Sequence, residues 1–581
     1  MPTPTVAVSP HTAIVKPPPF TFQTLPMPIV YEVVEYLEGY YKYSFNIHTS
    51  RHIASKAVLA PLLSVSERWR KAALESICDS CVLDFNHSCE TREVVFPAWP
   101  TDVPPSWLYM LHLVKLIFVS ATLEKILSDG VFCSTLTWLQ SESVVLPAAR
   151  TLILHLKNVA DLDLGFDDSL HHTSEGETVV VNFARRLKQL APAATDLHLF
   201  IPSIDETQAN NRLLCGLLIS TLCQAGIKGV HVYAEQATIP VSLDVQGLSR
   251  LTRITQGKNV ACGPFARLAY HNANTLQMLN INVGAEDDWL SLVYGGTKVL
   301  ATFNSLDELI ITATDVPYEA TWTAIDNAAP FPVLWMLEVF DRYPFDDDML
   351  FRGNGKTMKY LCIPFCALAR HALGRFDVFR RSGVLQMNSV RIGPIFDADE
   401  AFVTERGDAP VKQQLRHILK ASAALFISDD TSEMSLCETI ETAPSTHDLQ
   451  HMDLGEQVYY VCGVIDLLTA LPGLVSLTCL VGSPDEDIEA NPGISCLGCF
   501  RKRYYPLSKR FKVLRVRHTD ESSVEEIAYV AMHIAVVCPS FAFVDLPLEH
   551  RKEFSQEIAR AMANRPFRPF ADSIRHLMFK E

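Results

Sequence analysis

Arg352-Gly353-Asn354-Gly355-Lys356-Thr357 is the segment whose residue types come nearest to chemistry, because glycines beside Lys-Thr are how a chain cradles nucleotide phosphates. Such a loop needs a glycine five positions before Gly355, where Leu350 stands, and a helix after the lysine to aim its N-terminus at the anion. Met358–Ile363 reads as a strand instead, so the segment is expected to be a glycine turn. Two Cys-x-x-Cys pairs, Cys78/Cys81 and Cys496/Cys499, have metal-ligand spacing, and His87 and Cys89 follow the first. Zinc wants four ligands in a tetrahedron, commonly two such pairs, and these lie 418 residues apart. Cys78 also continues an apolar helical stretch, where a free thiol packs as a small hydrophobe. Asp346-Asp347-Asp348, and Asp397 with Asp399 and Glu400, read as solvated turns. No G-x-S-x-G, H-E-x-x-H or dinucleotide glycine fingerprint occurs. The expectation is therefore a non-enzyme with no catalytic residue, no cofactor and no metal.

Composition narrows the class further. At 581 residues the chain exceeds one ordinary core, and 48% apolar with 20% charged residues excludes a wholly disordered protein. The net charge of −16 argues against a nucleic-acid partner, which needs a basic face. Ile527–Val544, the longest apolar run, is broken by His533, Pro539 and Ser540, so no membrane span is expected. An odd count of 15 scattered cysteines, with a proline-rich opening in place of a signal segment, points to a reducing, intracellular (cytoplasmic or nuclear) location.

The elements behind these residues repeat. With φ for an apolar residue, φ-x-x-φ-x-φ occurs as Leu276-Leu279-Ile281, Leu306-Leu309-Ile311, Leu334-Leu337-Val339 and Met358-Leu361-Ile363. It returns as Leu449-Met452-Leu454, Leu474-Leu477-Cys479, Phe511-Leu514-Val516, Phe541-Val544-Leu546 and Ile574-Leu577-Phe579. Weaker copies start at Leu113, Ala149, Ala194, Ile227, Leu251, Met387 and Ser422, and the mean period from Ala194 onward is about 29 residues. Pro147, Pro192, Pro332, Pro472 and Pro539 each stand two positions before the first φ, and helix-period runs at 179–190, 461–471 and 527–537 precede several copies. The unit is thus helix, proline stop, strand. This predicts an α/β fold: an irregular leucine-rich-repeat-like solenoid with parallel strands on one face and helices on the other. An ordinary α/β sheet is the alternative.

Boundaries follow from composition. Residues 1–20, with six prolines, form a proline-rich tail; 21–90 form a small α-helical module; 91–110 are a proline-rich linker; 111–581 are the repeats. Within each repeat the residues between the φ positions should point away from the core. On neighbouring copies these are Met278, Glu308, Ile310, Met336, Glu338 and Tyr360, an apolar centre with acidic neighbours that suits an unknown target protein.

Leu25-Pro26-Met27-Pro28-Ile29-Val30, followed by Leu62-Leu63-Ser64-Val65-Ser66-Glu67-Arg68-Trp69-Arg70, resembles an F-box. Together with the repeats, the chain resembles fungal F-box-like repeat proteins. That resemblance implies a substrate-recognition adaptor of an SCF-type ubiquitin ligase. Leu25, Pro26, Ile29, Val30, Leu62, Leu63 and Trp69 would dock a Skp1-like adaptor of the cullin core, and the repeats would bind the target. Tyr40–His52 departs from the compact F-box pattern. The alternative is a repeat scaffold for protein–protein interaction, not linked to a ligase, whose N-terminal helices only cap the first repeat.

Overall fold

The computed structural model describes residues 80–84, 113–118, 149–156, 174–201, 209–234, 248–313 except 258, 329–345, 349–364 except 355, 387–393, 422–427, 449–481 except 460, 508–516, 523–546 and 548–563, with isolated positions 30, 33, 69, 145, 147, 243, 316, 322, 367 and 418. The chain forms two compact units, Met1–Pro202 and Ser203–Glu581.

In the first unit, strands β1 (Ser80–Asp84), β2 (Leu113–Phe118), β3 (Thr151–Leu156) and β4 (Asp196–Ile201) pair in chain order, all parallel. Helix α1 (Ser174–Leu190) makes the crossover between β3 and β4. Phe183, Ala184, Leu187 and Leu190 recur at helical spacing and are all buried, which is why this stretch is a helix and which face it hides. The Lys188 ammonium donates to the Ala194 carbonyl where the chain turns into β4. Two findings differ from expectation. Strand pairing begins at Ser80, within the stretch assigned to the helical module, so Cys81 sits in a strand. In β2, Val114 rather than Leu116 lies beside Leu152, which moves the copy placed at Leu113 two residues toward the N-terminus.

The second unit opens with α2 (Ala209–Gln224), then β5 (Gly229–Ala234) and β6 (Arg253–Gln256), α3 (Cys262–His271), β7 (Met278–Asn282) and α4 (Glu286–Tyr294). Strands β8 (Glu308–Thr312), β9 (Met336–Phe340), β10 (Tyr360–Ile363), β11 (Ser389–Ile392) and β12 (Ala424–Ile427) follow. Then come β13 (His451–Tyr459), α5 (Val461–Ala470), β14 (Ser476–Val481), β15 (Val513–Val516), α6 (Val524–Val537), β16 (Phe543–Asp545) and α7 (Leu548–Ala563). From β5 to β16 every strand pairs parallel with the next in chain order. Among the described helices, α3 packs on β6, β7 and α4, while α6 packs on β14 and α7. The architecture is α/β with parallel strands, the arrangement that stacked helix–strand units require. Among the described residues no helix is long and apolar enough to cross a membrane.

The pairing register aligns one central apolar residue per strand. Val230, Ile254, Leu279, Leu309, Leu337, Leu361, Val390, Leu425, Met452, Leu477, Leu514 and Val544 lie side by side, and every one is buried. The first φ positions are buried too, including Ser422, whose hydroxyl donates back to the Ile418 carbonyl at 2.7 Å. Gln256 fills a third φ position, and its carbonyl oxygen accepts the Asn282 amide at 2.8 Å. Beneath β7–β9, Trp289 of α4 stacks near Trp322 and meets Phe345 edge-on, with centroids 4.8 Å apart. Gly295 ends α4 at φ 58, and a Cβ there would lie 2.1 Å from the Tyr270 ring, so both backbone and space demand glycine.

Polar side chains close the corners between repeats. Asn272 donates to the Leu248 carbonyl at 2.8 Å and accepts the Leu251 amide at 2.9 Å, while Thr275 donates to the Leu251 carbonyl at 2.8 Å. Asn354 and Thr357 repeat this spacing before Met358. Asn354 donates to the Phe331 carbonyl at 3.2 Å, and Thr357 to the Leu334 carbonyl at 2.9 Å. The phosphate-loop-like segment is therefore such a corner, followed by strand β10, and Asn354 is fully buried.

Leu337→Ala should cost about 2–5 kcal/mol of unfolding free energy in denaturant titration, whereas Glu338→Ala, one step along β9, should cost far less. Equal losses would show that the strand faces are reversed. Asn272→Ala should cost about 1–3 kcal/mol, because it strands the Leu248 carbonyl and Leu251 amide without partners.

Candidate functional site

The side chains between the buried φ positions stand on the opposite face of the strands. Register places Met278, Glu308, Met336, Tyr360 and Ser389 in one row across β7–β11. A second row runs Asn280, Ile310, Glu338, Cys362, Arg391, Phe426 and Asp453 across β7–β13. The alternation of half-buried and buried residues along β7 and β8 confirms that Met278, Glu308 and Ile310 face away from the core. All six residues expected on this face are therefore on it.

They do not all meet at one place. A depression of about 360 Å³ lies over β9–β13, and its lining includes Met336, Glu338 and Tyr360. Met278, Glu308 and Ile310 lie on the strands beside it. Arg391, Phe426 and Asp453 also line it. Arg391 and Phe426 were not among the expected site residues, although the weak copies at Met387 and Ser422 already placed both between φ positions. Cys362, between the φ positions Leu361 and Ile363, shares this face but is only 5% exposed and lies in the floor of the depression.

Exposed aromatics rim the site. Tyr360 is 38% and Phe426 39% exposed, and Trp335 meets the Tyr360 ring edge-on at 4.9 Å. The Asn388 amide donates to the Tyr360 hydroxyl at 3.4 Å. Such rings offer apolar area with little conformational entropy to lose. The charges are local and mixed: burial raises the Glu338 pKa, Arg391 opposes that rise, and Glu308 adds to it. Asp453 accepts the Gly455 amide at 3.1 Å. Burial and Glu338 together push the Cys362 thiol up to about 11, so at neutral pH it is protonated and a poor nucleophile or metal ligand.

Other expected features fall elsewhere. Among the described residues no three His, Cys, Asp or Glu side chains group as a metal site. Cys78, His87, Cys89, Cys496, Cys499, the carboxylates at 346–348 and those at 397–400 lie outside the described residues, as do Leu25, Pro26, Ile29, Leu62 and Leu63. Val30 and Trp69 are helical and buried, 1% and 3% exposed, so both pack inside the protein.

The raised pKa of Glu338 carries a sign. Its unfolded value is near 4.5, and folding holds the proton more tightly, so the protonated side chain favours the fold at low pH. That contribution is lost as pH rises through the folded value. Glu338→Gln should therefore match the parent protein in denaturant midpoint well below pH 4.5, where Glu338 is protonated in both states, and exceed it near pH 7.5. A gap that does not change with pH would sink this account.

Compared with protein-family models and with curated proteins, the chain matches none, so the resemblance to F-boxes rests on residues 21–80 and the reading of the site on its geometry.

Proposed function

We propose that this chain is a non-enzymatic substrate-recognition adaptor. Its repeats form a leucine-rich-repeat-like solenoid whose open strand face holds a target protein, and an F-box-like N-terminal module ties that target to a Skp1-like adaptor and cullin ligase core. The observation that carries target binding is the exposed patch over β9–β13, where Tyr360, Phe426 and Met336 sit among Glu338, Arg391 and Asp453. Aromatic anchors among charges are what protein recognition uses. The ligase link is supported by the Leu-Pro and Trp-Arg stretches at 25–30 and 62–70. Among the described residues Cys223, Cys262, Cys362, Cys479 and Cys538 are free thiols, which fits a reducing, intracellular compartment.

The second reading, a scaffold whose N-terminal helices serve as a cap, is favoured by the burial of Val30 and Trp69, since a cap must pack inward. One experiment separates the two. Under the ligase reading, purified Skp1 is captured by the full chain, and Leu25→Ala with Pro26→Ala weakens that capture while the melting temperature holds. Absence of Skp1 capture by the parent chain leaves the scaffold.

Target binding has its own test. A photo-crosslinking residue at position 360 should label the target, whereas one at Tyr529, exposed on helix α6, should not. Met336→Lys with Tyr360→Ala should abolish target capture in a pull-down and spare both folding and Skp1 capture. Equal labelling from both positions would place the target elsewhere.

A further inference from the structure

The second row of the strand face alternates in charge in a way no single repeat reveals. Register puts Glu338 on β9, Arg391 on β11, Asp453 on β13 and Arg515 on β15, with uncharged Cys362, Phe426 and Thr478 on the strands between. Arg515 is already paired with Asp545 at 3.4 Å. Glu338, Arg391 and Asp453 line the depression, which spans β9–β13. Neighbouring strands are about 4.8 Å apart, so these charges recur every ~9.6 Å and span about 19 Å.

A partner segment laid across the strands must present charges with that repeat on one face. In a β-strand, residues on one face are about 6.6 Å apart, and every third residue points the wrong way. An α-helix returns to the same face after seven residues, about 10.5 Å, and drifts to ~21 Å over two repeats. A polyproline-II helix has three residues per turn at about 3.1 Å each, which gives ~9.3 Å per repeat and ~18.6 Å over two. This last conformation keeps step most closely. Grooves that take such segments are commonly lined by aromatic rings, and Trp335, Tyr360 and Phe426 stand exposed here.

We propose that the depression over β9–β13 docks a polyproline-II segment of a partner protein that carries basic, acidic and basic residues at every third position, opposite Glu338, Arg391 and Asp453. This names the target class for the strand face proposed above and rests on that reading.

The test uses the full chain and labelled peptides in fluorescence anisotropy. The probe is Pro-Lys-Pro-Pro-Glu-Pro-Pro-Lys-Pro. One control, Pro-Lys-Pro-Glu-Pro-Lys-Pro-Pro-Pro, has the same composition, so attraction to the acidic protein as a whole cancels. A second control is an alanine-based helix with Lys, Glu and Lys seven residues apart. The probe should bind about tenfold or more tighter than either control. The margin should shrink between about 50 and 300 mM salt. Arg391→Glu should lose about tenfold for the probe and prefer its Lys-Lys-Lys counterpart. Arg391→Gln, which removes charge without reversing it, gives the same direction should the first variant melt early. Equal affinity for the composition control, tighter binding of the helix, no binding by any peptide, or indifference to both Arg391 variants overturns the proposal. A target that still crosslinks at position 360 while every peptide fails would refute the polyproline segment and leave the strand face as the docking site.

Discussion

Each helix–strand unit of this protein is too small to bury its own apolar face, and that shortfall governs the rest. The remedy is the unbroken row from Val230 to Val544, one buried side chain per strand, held in step by parallel backbone pairing. Every member inside the row lies between a strand before it and one after it, so a gap is felt by its neighbours as well as by its own repeat. In-register pairing also decides which side chains face away, because successive residues on a strand alternate between faces.

Irregular repeats strain this scheme where the chain turns, since a buried corner leaves backbone groups without partners. Asn272 and Asn354, each four residues before the first φ of its copy, reach back to carbonyls of the preceding repeat, and Thr275 and Thr357 assist. The same requirement explains how polar residues occupy core positions: Ser422 donates back to the carbonyl four residues before it, and Gln256 accepts the Asn282 amide of the next repeat. A segment whose glycines, lysine and threonine suggest phosphate binding turns out to spend Asn354 and Thr357 on holding the turn. Its Asn-x-x-Thr spacing, shared with 272–275, was the clue to that role.

The strand face inherits its chemistry from the register. Glu338, Arg391 and Asp453 are far apart in sequence, yet pairing sets them two strands apart in one row. Within that row opposite charges attract weakly, and like charges are kept twice as far apart. Cys362, between two of them, is shielded and held protonated, so the floor of the depression is chemically quiet while its rim of rings and charges is open.

Much of this was legible in the residues alone. The φ-x-x-φ-x-φ copies located β7–β10 and β13–β16, helix-period runs located α1, α5 and α6, and alternation assigned Met278, Glu308, Ile310, Met336, Glu338 and Tyr360 to the outer face. Sequence could do this because burial on one side of a strand imposes period two, and a covering helix imposes 3.6. It could not set the register of β2, where Val114 and Leu116, two residues apart, are both apolar and either could be the central residue; pairing with β3 selects Val114. Nor was β1 found, although Cys78-Cys81-Leu83 fits the pattern with Cys81 beside Val114, because that stretch reads as the continuation of a helix. The charge alternation, the burial of Cys362 and the gathering of Arg391 with Phe426 depend on which strand neighbours which, at what offset. Those relations arise only from pairing between segments some thirty residues apart, and local periodicity carries no record of them.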